Sequence, residues 1–420
     1  MSVDLRERVR PEPPVFESAM KDTADLRNNP TEAWIESLRA RYPTEPSVDA
    51  ALTRKLRKRS ADREPYRSPT LKDVSRRLSD FLAKQADGPI AIHNVRALTG
   101  GASKEQFVFE MDWQYQGEMR RGERMVLRCE PAASIVETSR RREFELMQFG
   151  GTIVPAPPVY FIDDDGSIMG TPSLVSGFVD GVTKPSRLTS NVSGIGTHFP
   201  QDYREALAPD YIRCMVAMHK APIPENALPS FVKPAVGTTE AAELVINWWA
   251  RIWAEDLYED APIATLAEQW LRANAPALDH LSLVHGDFRT GNFLFDEETK
   301  KITAVLDWEL GYLGDRHADL GYLLTEFYVT REDGKPFHCG LFESEDALLD
   351  AYANAGGLPI DPDKLAWHKI YSTWKQLILS LGCALRACEG QTHQDVLLSF
   401  LSAGGYPISE ALRRLLEKHG

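Results

Sequence analysis

The segment Leu283-Val284-His285-Gly286-Asp287-Phe288-Arg289-Thr290-Gly291-Asn292 spaces an aspartate and an asparagine as H-G-D-x-x-x-x-N, and Asp307 follows in an apolar run. These residue types at this spacing suit phosphoryl transfer. Moving a phosphoryl group to an alcohol needs a carboxylate within reach of the hydroxyl proton. It also needs hard oxygen ligands for the Mg²⁺ that neutralises a nucleoside triphosphate. Asp287 is the candidate base with Arg289 as its catalytic neighbour, and Asn292 and Asp307 are the candidate metal ligands. Taken singly, each has an ordinary reading: an isolated H-x-D arises by chance, an aspartate closes a loop, an asparagine forms an Asx turn. The combination carries the weight.

The elements around these residues bring them together. Ser282-Leu283-Val284 is a short apolar lead-in, Phe293-Leu294-Phe295 reads as a strand, Asp296 to Lys301 as a hairpin turn, and Ile302 to Leu306 as the returning strand. Asn292 and Asp307 lie at the open ends of that hairpin, where they can share a cation. Downstream come Asp307-Trp308-Glu309 and Gly314-Asp315-Arg316-His317-Ala318-Asp319-Leu320. With these motifs, residues 90 to 400 resemble the aminoglycoside phosphotransferase-like family of small-molecule kinases. That family includes choline kinase-type enzymes and the phosphotransferase domains associated with acyl-CoA dehydrogenases. The resemblance implies an α+β, bilobal protein-kinase-like fold, with a small antiparallel-sheet N-lobe and a mostly helical C-lobe. It also implies that Asp287 is the base, that Asn292 and Asp307 hold Mg²⁺, and that Asp319 is a buried brace accepting hydrogen bonds from the loop backbone. His285 then fixes the loop rather than carrying a proton.

A kinase needs a nucleotide clamp, and the preceding segment is expected to supply it. Gly100, Gly101 and Ser103 lie between the strand-like runs Ile90 to Val95 and Phe107 to Trp113. They suit a loop whose backbone N–H groups approach phosphate, although alone they read as an ordinary hairpin turn. Arg128, on the strand Met125 to Glu130, takes the place of the phosphate-contacting strand lysine, and Glu143, on a helix beginning near Ser139, is its expected tether. Glu137 and Glu145 are rivals. A guanidinium keeps the lysine's charge and can grip phosphate with two donors. Phe178 marks the hinge, where main-chain groups of Ser176 to Val179 are expected to meet the adenine.

The domain organisation expected is an N-terminal helical and irregular extension over 1–88, a nucleotide-binding lobe over 89–180, and a helical lobe with the catalytic loop and substrate site over 181–420. With 43% apolar residues, 420 residues suffice for two cores, and the net charge of −13 argues against a nucleic-acid groove. Five cysteines without a C-x-x-C pair read as free thiols, and no stretch of 18 apolar residues occurs, so a soluble cytoplasmic enzyme is expected. In the extension, Leu71, Val74, Leu78 and Leu82 recur at helical spacing, predicting a helix over Leu71 to Ala86 that packs on the small lobe. The run Arg54 to Arg59 reads as a solvated helix face, or else as a contact for a phosphate-bearing ligand or an acidic partner. A protein partner or a second copy of the chain is expected to engage this extension.

In the large lobe, Thr183 to Phe199 is expected to form a lid or a cleft-lining segment. Trp248, Trp249 and Trp253 are expected in the core, His219 is read as structural, and His393 to Leu401 as a closing helix. Arg316, His317, Trp367, Tyr371, Trp374 and Lys375 are candidates to face the acceptor. The expected activity is ATP- and Mg²⁺-dependent O-phosphorylation of a small molecule, with an alcohol, a phenol or a hydroxyacyl-CoA favoured over an aminoglycoside. The alternative is a pseudokinase or scaffold subunit acting with a partner. A protein kinase fits less well, because Trp308-Glu309 replaces Phe-Gly and no A-P-E-type segment follows.

Overall fold

Alternating apolar residues set the small lobe. Phe107, Phe109, Met111 and Trp113 of β2 (Glu105–Tyr115) and Met125 and Leu127 of β3 (Glu118–Cys129) are buried together. With β1 (Ala91–Ala97), β4 (Val159–Asp163) and β5 (Ser173–Gly177) they form an antiparallel sheet in the order β1-β2-β3-β5-β4. A computed structural model describes residues 26–59, 69–98, 104–130, 134, 136, 138–188, 199–257, 260–384, 386 and 404–419. The loop residues Gly100, Gly101 and Ser103, Glu137, most of the expected lid and the expected helix His393 to Leu401 lie outside them.

The N-terminal extension divides between the lobes. The helices α1 (Glu32–Arg41) and α2 (Pro46–Arg57) share a core with the large lobe, where Ile35, Leu38, Leu52 and Leu56 pack among residues of α6 (Glu240–Asp256) such as Val245 and Trp249. In contrast, α3 (Leu71–Gln85) begins at Thr70, whose hydroxyl caps Asp73 N, and lays Val74, Leu78, Phe81 and Leu82 on the small-lobe sheet. Each such side chain contributes roughly 1.5–3 kcal/mol by leaving water. The basic run departs from expectation as well. Lys55 is buried, with Nζ 3.0 Å from Asp256 and 3.6 Å from Glu255, and Arg59 also binds Asp256. Lys55 and Arg59 are thus spent on internal ion pairs with the end of α6, while Arg57 and Lys58 keep to the solvated face.

The helix α4 (Arg140–Gly150) lies between the sheet and the large lobe. It packs so closely on the turn after Asp307 that a Cβ at Gly150 would come within 2.5 Å of the Trp308 ring. The large lobe continues through α5 (Gln201–Lys220), α6, α7 (Pro262–Ala273), α8 (His317–Leu323), α9 (Glu345–Asn354), α10 (Pro362–Ile378) and α11 (Gly405–His419). Three short antiparallel pairs are set into it: β6 (Ser282–Val284) with β9 (Tyr312–Gly314), β7 (Phe293–Asp296) with β8 (Lys301–Val305), and β10 (Val329–Glu332) with β11 (Lys335–His338). Trp248, Trp249 and Trp253 are core residues. Among the described residues no helix is long and apolar enough to cross a membrane, and Cys129, Cys214, Cys339 and Cys383 are buried.

Candidate active site

The loop after β6 is held from below by one carboxylate. Asp319, in α8, accepts from His285 N at 2.9 Å and Gly286 N at 2.8 Å, and its Oδ2 lies 3.2 Å from His219 Nε2. Burial opposes its charge, yet His219 and the loop contacts hold its carboxyl below the usual range. Gly286 has φ +77°, and a Cβ there would meet Leu310 O at 2.4 Å. The His285 ring, buried and thereby pushed down in pKa, contacts Leu306 O at 2.9 Å and packs on Trp308. His219 completes the support through Tyr352 OH at 3.0 Å.

Asp287 emerges from this platform with both carboxylate oxygens engaged. Oδ2 accepts from Asn292 Nδ2 at 2.7 Å, and Oδ1 accepts from Arg289 Nε at 3.2 Å and Tyr322 OH at 2.5 Å. The hairpin register, Phe293 opposite Val305, and a bond from Leu306 N to Asn292 O at 2.8 Å set Asn292 beside Asp307 as its sequence position suggested. Asp307 adopts a left-handed conformation, φ 64° and ψ 54°, which is uncommon for a residue with a side chain and typical of sites where geometry is imposed. Because the Asn292 Nδ2 group is turned to Asp287, its amide oxygen is the atom left for a cation. That oxygen and the Asp307 carboxylate are hard donors suited to Mg²⁺, which keeps several waters and needs few protein ligands. Among the described residues no group of three or more His, Cys, Asp or Glu side chains is assembled for a metal.

On the small-lobe side, Arg128 meets its expected tether, Glu143, and also Asp307, a pairing the sequence did not suggest. Its Nε lies 3.3 Å from Glu143 Oε1 and its Nη2 donates to Asp307 Oδ1 at 2.8 Å. Burial works against its charge, but Glu143, Asp307 and Glu309 outweigh that and raise its pKa. Burial pushes the Glu143 carboxyl up, against the pull of Arg128 and Arg140. Of the rival tethers, Glu145 is spent on Ser230 N and Oγ. Beneath Arg128, Glu309 Oε2 accepts from Arg140 at 3.0 Å and lies 3.2 Å from Lys104 Nζ, which also donates to Glu130 at 3.0 Å and Val136 O at 3.0 Å. Lys104, which follows the glycine-bearing loop, is therefore an internal anchor.

Other candidates sit elsewhere. Phe178 N donates to Arg124 O at 2.9 Å and its ring lies under the Arg124 guanidinium, so its amide is already used inside the sheet rather than offered to a base. His317 is buried against Asp315 and Asp361 N, and Arg316 is buried on Asp279, so neither greets an acceptor. Trp367 and Trp374 donate to Leu271 O and Ala264 O in the core, and Tyr371 is buried with them. Lys375 lies under the loop, donating to Gly286 O at 2.7 Å, and burial depresses its pKa to about 8.

Sequence reasoning missed Tyr322, which touches Asp287, and Cys339, whose Sγ accepts from Thr290 N at 3.1 Å. Tyr322 stands three residues after Asp319 on one short helix, so helical spacing from the brace was the signal that could have found it. For Cys339 there was none.

Comparison with known proteins bears on the whole arrangement. Residues 94–368 match the model of the phosphotransferase enzyme family. The chain is 28% identical over 208 residues to acyl-CoA dehydrogenase family member 10 of Mus musculus, covering 49% of this chain and 18% of that protein. It is 25% identical over 284 residues to the probable acyl-CoA dehydrogenase IBR3 of Arabidopsis thaliana, covering 64% of this chain and 34% of that one. The chain thus spans about a fifth to a third of the length of these curated relatives. Among solved structures, one from Ralstonia eutropha JMP134, assigned as an aminoglycoside phosphotransferase, superposes with TM-score 0.58 at 21% identity, covering 82% of this chain and 98% of that one. Macrolide 2'-phosphotransferase type I superposes with TM-score 0.50 at 19% identity, covering 81% and 98%. At such identities the likeness establishes the bilobal fold.

Proposed function

As a member of the phosphotransferase enzyme family, the chain is one for which we propose ATP- and Mg²⁺-dependent transfer of a phosphoryl group to the hydroxyl of a small molecule. The observation that carries this reading is Asp287, fixed by Asn292, Arg289 and Tyr322 beside Asp307. Asp287 takes the acceptor's proton as the acceptor oxygen bonds to the γ-phosphorus and the bond to the leaving diphosphate breaks. Arg289 orients that carboxylate and adds positive charge beside the reacting oxygen. Asn292 and Asp307 would hold Mg²⁺, whose chemistry when bound is neutralisation of the phosphate oxygens. Arg128, tethered to Glu143, grips phosphate from the small lobe.

The acceptor we favour is an alcohol, a phenol or a hydroxyacyl-CoA, in keeping with the acyl-CoA dehydrogenase names of the relatives. A scaffold role is the second reading. It draws on the arginine at position 128 and on that residue's hold on Asp307.

The test is nucleotide-to-diphosphate turnover by the full chain with Mg²⁺ over pooled alcohols, phenols, hydroxyacyl-CoAs and aminoglycosides, beside Asp287→Asn. Stimulation by one pool, reduced roughly 10²- to 10⁴-fold in the variant, supports the kinase. Equal turnover in the variant overturns the role of Asp287, and nucleotide binding without turnover in any pool favours the scaffold.

A further inference from the structure

The helix that carries Glu143 is gripped by the N-terminal extension at the adjacent residue. Arg142 is 2% exposed, and its guanidinium binds Glu45 with two bonds, Nη1 to Oε2 at 2.7 Å and Nη2 to Oε1 at 2.9 Å. The same guanidinium reaches Gly311 O at 3.3 Å, just past the Asp307-Trp308-Glu309 turn, and Ser47 Oγ at 3.2 Å. Glu45 also accepts from Val232 N at 2.8 Å, and Ser47 Oγ donates to Ser230 O at 2.8 Å. These two residues stand at the start of α2, which is itself ion-paired to α6 through Lys55 with Asp256 and Arg251 with Asp49. A buried guanidinium without its carboxylate is strongly unfavourable, so the pair fixes where Arg142 can sit. Since Arg142 and Glu143 are consecutive in α4, the same constraint fixes the carboxylate that meets Arg128.

We propose that Glu45 is a positioning residue for the phosphoryl-transfer site, and that the α1–α2 pair is a built-in clamp setting α4 so that Glu143 meets Arg128. This rests on the kinase reading for its effect on turnover, but not for its effect on α4. Glu143 moves with its own helix, so a loosened α4 lets the Arg128 guanidinium leave its place. The consequence falls on the nucleotide phosphates and the chemical step rather than on acceptor affinity, because neither Glu45 nor Arg142 is among the groups around Asp287.

The experiment uses the full chain as wild type, Glu45→Gln, Glu45→Asp and Ser47→Ala. Amide hydrogen exchange is read over Arg140–Gly150, and turnover is read with ATP, Mg²⁺ and the acceptor pool that stimulates the wild type. Expected for Glu45→Gln is exchange in α4 faster by about tenfold. Its kcat is expected to fall roughly 10- to 100-fold while KM for the acceptor changes little, and Glu45→Asp should recover most of both. Unchanged exchange in α4, or loosened α4 with full kcat, overturns the proposal. Should Glu45→Gln fail to fold, Ser47→Ala cuts the same junction more gently and must show the same changes in smaller measure. A wild type without turnover in any pool sinks the kinase reading, and the exchange of α4 alone then decides whether the clamp exists.

Discussion

Arg128 Nη2 donates to Asp307 Oδ1 at 2.8 Å, so one ion pair joins a strand of the small lobe to the candidate metal ligand of the large lobe. The same guanidinium rests on Glu143, which has no exposure to water. Arg128 is therefore partner of a buried carboxylate and, under the proposed function, competitor of a cation for Asp307. Arg128→Met should cost about 3 kcal/mol of stability in denaturant titration, because Glu143 keeps only Arg140. It should also raise KM for the nucleotide roughly tenfold, through loss of a charge-assisted contact, while lowering the Mg²⁺ concentration needed for half-maximal turnover. An unchanged Mg²⁺ requirement would show that the ion pair is not in competition with the metal.

Tyr322 and Arg289 converge on one oxygen of Asp287. Tyr322→Phe keeps the buried ring and removes only the hydroxyl. A drop of about tenfold in kcat, with KM for the acceptor nearly constant, is expected if this bond aims the carboxylate. Wild-type kcat in single-turnover measurements would mean that Asn292 and Arg289 suffice.

Gly286 combines a left-handed φ of +77° with the Leu310 carbonyl where a Cβ would go. Gly286→Ala should destabilise the chain by at least about 2 kcal/mol, the sum of backbone strain and steric overlap. Thermal unfolding checks this. A melting temperature equal to wild type would mean the loop has another conformation.

Burial lowers the Lys375 ammonium from 10.5 to about 8. Below about pH 8 the ammonium is charged in both states, so the cost of burying it is fully present. Between that pH and 10.5 the unfolded chain binds more protons, and stability contributed at this position rises with pH. Wild type should therefore gain on Lys375→Met in urea midpoint from pH 8 to pH 10. Parallel pH profiles for the two would refute a depressed lysine.

What the sequence determined by itself is local. The H-G-D-x-x-x-x-N spacing and a hairpin of short strands place Asn292 next to Asp307, because register and turn length leave little choice over so few residues. The brace at Asp319 came from the family's motif. Helical periodicity likewise placed Val74, Leu78 and Leu82 on one face of α3. Tertiary structure decided the rest. Nothing in the chain marks Glu143 over Glu145 as the tether of Arg128; that follows from Glu145 meeting Ser230, 85 residues away. Phe178 lost its amide to Arg124, and His317 and Trp367 turned into the core, because inward or outward direction depends on which elements pack. Arg128 meets Asp307 across 179 residues and Arg142 meets Glu45 across 97. Pairings at such separation are chosen by packing of whole elements and by the cost of leaving a buried charge alone, neither of which a local pattern encodes.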